Sequence, residues 1–191
     1  MRMTFRFFLT PVFALSLEVL GQSFAAAADN QCNGTNACTG NTGKTGNDSC
    51  NGEYACYYNA ERIRNYSCNG FGACYYNDGP IGNSACNGDQ ACYYNVGKIG
   101  DTSCDGAAAC YSNNAQVGDG SCQGDYACLG NSGRIFDRAC KGFEACLNNS
   151  GQIGNGSCNG YQACCGNTED IGQGQCNGDR ACWDLSNCYD T

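Results

Sequence analysis

The side chains with most chemistry to offer are cysteine and tyrosine. Twenty of the 191 residues are cysteine and none is histidine. One cysteine row runs Cys32, Cys50, Cys68, Cys86, Cys104, Cys122, Cys140, Cys158 and Cys176, each 18 residues after the last. A second row follows six residues behind the first, at Cys38, Cys56, Cys74, Cys92, Cys110, Cys128, Cys146, Cys164 and Cys182. Zinc sites space their cysteines two to four residues apart and often recruit histidine, so no metal and no cofactor is expected. A nucleophilic Cys or Ser would have no imidazole to activate it. Disulfide formation remains. A chain that bends between cysteines six apart brings them within bridging distance, which pairs the two rows within each unit, Cys32–Cys38 through Cys176–Cys182. Spacing alone does not fix connectivity. Closing each such loop removes about 2–2.5 kcal/mol of unfolded-chain freedom. Cys165 and Cys188 are left over; their pairing would draw the tail, residues 183–191, over the end of the repeat as a cap.

With the first cysteine of each unit as place 1, the tyrosines form two rows. Tyr57, Tyr75, Tyr93 and Tyr111 stand at place 8, and Tyr58, Tyr76 and Tyr94 at place 9. On a strand these would point to opposite faces, one half-buried and one exposed. The exposed row is the candidate contact surface for a sugar, a partner protein or ordered water. Place 10 carries Asn41, Asn59, Asn77, Asn95, Asn113, Asn131, Asn149 and Asn167, a row expected to hydrogen-bond its amides along the stack. Asp101, Asp119 and Asp137 line up at place 16. Paired carboxylates can hydrolyse glycosides, but scattered acids on short loops build no cleft, and no enzymatic activity is expected. Asn33, Asn47, Asn65, Asn148 and Asn155 begin Asn-x-Ser/Thr triplets that would carry N-glycans in a eukaryotic source.

The element that must position these rows is the 18-residue unit itself, present nine times without insertion over residues 29–182. A fixed short period signals stacked coils, each buried against its neighbours. Gly fills place 3 and Ala place 6 in every unit, and Ile or Val fills place 14 from Ile63 to Ile171. So many Gly and Asn positions, each costing a helix about 0.5–1 kcal/mol, exclude a helical coil. The expected fold is all-β: a single-stranded β-solenoid, or β-helix, of about nine coils with one disulfide per coil. Small residues recurring every six places argue for three sides. Ile-Gly at places 14 and 15 resembles the hexapeptide repeat of left-handed β-helices, and a two-sided coil of nine plus nine is the rival.

Residues 1–28 read as a signal peptide, with Arg2 and Arg6 ahead of an apolar run and alanines before Asp29. Arg2, Arg6 and Glu18 leave with it, so 8 basic and 17 acidic residues remain. That acidity excludes nucleic acid and anionic membranes as partners. Abundant cysteine and a signal together imply a secreted, extracellular protein. One cystine per coil, small residues at fixed places and an outer ladder of like residues resemble the disulfide-rich antifreeze solenoids of insects, including a midge type with a tyrosine ladder. The likeness spans residues 32–182, although those repeats are shorter and this chain has no threonine row. The resemblance implies ice binding as an alternative. The residues themselves point first to a secreted, non-enzymatic structural or surface-binding rod, self-assembling end to end through an uncapped edge. A protein that binds extracellular polysaccharide through the tyrosine rows is the further alternative.

Overall fold

A computed structural model of the chain describes residues 31–188. Residues 1–30, where the signal peptide is expected, and residues 189–191 of the tail lie outside the described residues. Coil 1 is taken from Cys32, coil 2 from Cys50, and so on to coil 9 from Cys176.

The all-β expectation is overturned. Among the described residues there is no named strand and no sheet; extended pairing shrinks to isolated parallel bridges joining Ile63 to Ile81 and so on to Ile171, one per coil. Three strand-bearing sides are therefore not what the coil has. The only helix described is α1, Leu185–Cys188. The reason lies in the backbone. Every non-glycine residue of positive φ, between 48° and 60°, falls at place 1, 5, 9 or 17. Left-handed residues reverse the chain, so no extended run survives between them. The repeat is built from turns.

Those turns still stack one on another. N–H groups at places 5, 7, 9, 14 and 17 donate to carbonyls of the preceding coil, as in Tyr54 to Thr35, Cys56 to Ala37 and Ile63 to Lys44. N–H groups at places 11 and 15 donate to the following one, as in Ala60 to Asn77 and Arg64 to Ile81, and those at place 1 donate to the place-18 carbonyl of their own coil, as in Cys50 to Ser67. A left-handed non-glycine residue costs about 1–2 kcal/mol, and this lattice, repeated coil after coil, is what holds it there. Place 3 is glycine because the next coil's backbone passes against it: a Cβ on Gly52 or Gly70 would run into the carbonyl of the glycine one coil on.

The interior is narrow and partly polar. The two cysteine rows, the place-6 alanines and the Ile/Val row fill it. Place 10 joins them as a buried ladder. Each Asn amide donates to the Asn Oδ1 of the coil before it at 2.7–2.9 Å, from Asn59–Asn41 to Asn167–Asn149. Its second N–H goes to the place-12 carbonyl, as in Asn95 to Gly97. Buried amides with every hydrogen satisfied stabilise where lone ones would destabilise.

Within each coil the structure bonds the place-1 cysteine to the place-7 cysteine with Cα atoms 5.5–5.7 Å apart, and bonds Cys165 to Cys188. No described cysteine is free. Ten bridges in one small chain belong to an oxidising environment. The tail departs from the expected cap. It leaves the repeat after Asp184 and lies along the side of coils 7 and 8, so Ala181 is exposed where Ala37 to Ala163 are buried.

Candidate functional site

The tyrosine rows are adjacent, not opposed. Place 8 follows the bridged cysteine of place 7, and place 9 is left-handed (φ 48–53° at Tyr58, Tyr76 and Tyr94). That turn swings the place-9 side chain onto the same side as place 8, which the alternation of a strand would forbid. Tyr57 therefore meets Tyr58 edge to face at 4.6 Å, as Tyr93 meets Tyr94. Along place 8 the rings of Tyr57, Tyr75, Tyr93 and Tyr111 stack at 4.9, 4.6 and 5.1 Å, tilted by 12° or less. Along place 9, Tyr58, Tyr76 and Tyr94 stack at 5.2 and 5.7 Å. The place-8 column is half-buried and the place-9 column is 40–46% exposed. Together they form one ridge across coils 2 to 5, its rings locked by stacking and edge contacts.

Packing also sets the ridge's acidity. Burial raises the phenols of Tyr57 and Tyr75 above their ordinary value, with neighbouring phenols adding to it. Burial, then the hydrogen bond with Tyr94, pushes Tyr93 up to about 12. Tyr57, Tyr75 and Tyr93 thus stay neutral, and remain hydrogen-bond donors, past the pH at which an ordinary tyrosine ionises.

Aromatics at places 4 and 5 were not singled out by spacing. Tyr54 touches Tyr57 and Phe71, extending the ridge sideways. Further along, Phe143 stacks on Tyr161 at 5.6 Å, with Tyr126 edge-on to Phe143. These residues alternate between two places, so no single row in the sequence marks them.

The other candidates are held in structural work. Asp101, Asp119 and Asp137 each accept the place-16 backbone N–H of the coil before, at 2.8–3.0 Å. The Asn83 backbone N–H is the main reason Asp101 lies below the usual carboxylate range; Arg64, 3.7 Å away, adds to it. Two surface depressions, one with Lys44, Arg62 and Arg64 and one with Arg138 and Lys141, contain no carboxylate. Sulfurs of neighbouring coils come close enough to hold a metal, but each is tied up in a disulfide. The triplet asparagines divide by environment. Asn33, Asn47 and Asn155 are exposed and Asn148 is half-buried. Asn65 is exposed as well; it and Asn155 each accept the place-16 N–H of the coil before on Oδ1, and the serines of the Asn47, Asn65 and Asn155 triplets are fully buried.

At the far end of the ridge the same two places look different. Leu129, Leu147, Cys165 and Trp183 succeed the place-8 tyrosines, and α1 packs on them through the Cys165–Cys188 bridge. Gly166 at place 9 admits it: a Cβ there would strike the Asp184 carbonyl and the Cys188 nitrogen. The Asn148 amide donates to the Cys188 carbonyl and completes the dock.

No curated protein and no solved structure matches the chain. A family model described as "Domain of unknown function (DUF7640)" matches residues 19–124 and again residues 120–189, and the chain belongs to that family.

Proposed function

We propose that the protein is a secreted, non-enzymatic structural rod that grips an extended, repetitive surface through its tyrosine ridge, with an extracellular polysaccharide as the target. The observation that carries this reading is the pair of stacked columns. Rings that stack on one another turn their edges and hydroxyls outward, so the ridge presents phenol groups at the step of the coil, 4.6–5.7 Å, on a backbone held by a disulfide in every coil and by hydrogen bonds between coils. A polymer of repeating hydroxylated units offers partners at regular steps, and a preorganised row meets them without an ordering cost. The signal-like residues 1–28 and the disulfide lattice support secretion. The absence of histidine supports a binding rather than a catalytic role.

Ice is the second reading. The regular pitch and near-parallel rings favour it, because ice too is a periodic array of hydrogen-bonding oxygens. Against it, the columns last only three and four coils, and hydroxyl-free Phe71 flanks them. Co-sedimentation of the oxidised protein with insoluble polysaccharides separates the two. Retention that is lost in a Tyr58→Ala/Tyr76→Ala/Tyr94→Ala variant is expected. Thermal hysteresis without retention would replace polysaccharide by ice, and neither signal would remove the ridge as a binding face. Association end to end belongs to the same reading, because the last coil leaves Ala181 uncovered. Electron micrographs should then show filaments, and discrete particles at every concentration would remove that part.

A further inference from the structure

The disulfides of successive coils are not isolated from one another. The Sγ atoms of Cys86, Cys92 and Cys104 lie within 4.8 Å of one another, and so do those of Cys104, Cys110 and Cys122. In each trio two sulfurs form one coil's bridge, and the third is the place-1 sulfur of the next coil. The column is sealed along its length: its cysteines are fully buried from Cys50 to Cys164. Only its ends, Cys32–Cys38 and Cys176–Cys182, are partly exposed. We propose that this column is a site of intramolecular thiol–disulfide exchange, in which a thiolate on one coil re-pairs with the bridge of the coil before it. The bridges then shift from a six-residue to a twelve-residue register. The inference is independent of what the tyrosine ridge binds.

The step balances within the chain. A thiolate at Cys122, freed of its own partner, attacks the Cys110 sulfur. The Cys122–Cys110 bond forms as Cys104–Cys110 breaks, and the electron pair leaves on Cys104 as a new thiolate. One sulfur–sulfur bond is made and one broken, so no oxidant or reductant is consumed. Cys104 then stands beside the Cys86–Cys92 bridge, just as Cys122 stood beside its own target. Attack on Cys92 forms Cys104–Cys92 and releases Cys86. Over the stretch from Cys86 to Cys122 the leaving thiolate finds surroundings like those the attacker left. Burial in apolar surroundings raises a thiol's pKa and slows each step, so exchange should take minutes to hours. In the intact protein a small monothiol in the medium starts the sequence at the end pair: it bonds to Cys182 and expels Cys176 as a thiolate.

Two measurements test this. In a Cys128→Ser variant, held near the ordinary thiol pKa of about 8.5, acid quenching and alkylation read where the unpaired sulfur resides. The label should begin on Cys122 and pass to Cys104, then to Cys86. A label that stays on Cys122 overturns the proposal. The full natural chain, treated with a trace of monothiol and mapped by peptide analysis, needs no variant to fold. Peptides joined as Cys92–Cys104 and Cys110–Cys122 are expected, and a map holding only six-residue pairs overturns it.

Discussion

Places 8 and 9 serve opposite ends in the two halves of one molecule. In coils 2 to 5 they carry seven tyrosines, of which the place-9 rings are exposed. In coils 7 and 8 they carry Leu147, Asn148, Cys165 and Gly166, and the chain's own tail lies on them. The backbone beneath does not change: place 9 is left-handed in both halves, at Tyr76 and at Gly166 alike. The lesson is that the repeat supplies a docking strip along its whole length. Side-chain size at place 9 decides whether the strip is filled from within or left open to an outside partner. Where place 9 is small, α1 fits; where it is tyrosine, no segment of this chain covers it among the described residues.

If the halves differ only on that strip, damage beneath it should cost the same in both. The Asn ladder is the place to look. Asn95→Ala leaves one Asn113 amide hydrogen and the Gly97 carbonyl unpaired, and leaves the Asn77 Oδ1 with only the long Gly79 N–H contact. Asn149→Ala removes the same bonds to Asn167, Asn131 and Gly151. At 1–3 kcal/mol per buried unsatisfied group, each variant should lose about 4 kcal/mol in a chemical denaturation series. A difference larger than about 1 kcal/mol between them would show that the halves differ in their interiors too.

Damage on the strip should instead be local. Replacing both Cys165 and Cys188 by Ala frees α1, and the chain-entropy model assigns that loop about 3 kcal/mol. Trp183 emission should change while the near-ultraviolet dichroism of the tyrosine columns stays as it was. A change in the tyrosine signal would mean that the tail also supports the front half. Gly166→Tyr goes further by writing a front-half residue into the rear. Its ring needs the room held by Asp184 and Cys188, and tyrosine in the left-handed region adds about 1–2 kcal/mol of strain. We expect residues 184–187 to lift off the strip on their Cys165–Cys188 tether at a total cost of about 2 kcal/mol, read as added proteolysis beyond Trp183. A tail that stays protected would show that place-9 size does not control the dock.

What could be read ahead of the structure follows from which interactions leave a trace at fixed spacing. The cysteine pairs, the Asn row and the place-3 glycines each serve one contact that recurs every 18 residues, so each stands out as a row. The left-handed places do not. Place 5 holds Asn36, Tyr54, Gln90, Glu144 and Arg180 at nearly one φ, because the bonds of neighbouring coils impose that turn whatever the side chain. Composition therefore hid the feature that turns strands into turns, and the all-β expectation failed on it. The same hidden turn put the two tyrosine rows side by side. The tail dock escaped because Gly130, Asn148 and Gly166 at place 9 read as ordinary surface variation, and only their contacts show that they make room.

Within the open half, the central ring should matter most. Tyr76 stacks on Tyr58 and Tyr94 and meets Tyr57 and Tyr75 edge-on. Tyr76→Ala forfeits contacts worth about 0.5–1.5 kcal/mol apiece where well formed, and partial re-packing leaves a net loss of about 1.5 kcal/mol. Tyr66→Ala, an exposed tyrosine at place 17 off the ridge, should cost less than half a kcal/mol, roughly the surface norm. Polysaccharide retention should fall for the first variant and not for the second. Equal losses would dissolve the distinction between ridge and surface.

The smallest effect is one of pH, and it separates the halves by titration alone. Tyr93 is raised to about 12 by burial and by its hydrogen bond with Tyr94. A phenol whose pKa rises on folding favours the folded state while it is protonated. Its contribution is fully present below the unfolded pKa near 10 and is lost as the pH climbs through about 12. Phenolate absorbance should therefore show a late component whose midpoint moves down in Tyr94→Phe, which removes the hydrogen bond while keeping the ring. Gly166→Tyr and the Cys165/Cys188 pair variant, both confined to the rear, should leave that component unmoved. A late component that shifts with the tail and not with Tyr94 would assign it to long-range opening of the stack, and the ridge would lose its claim to be a self-contained unit.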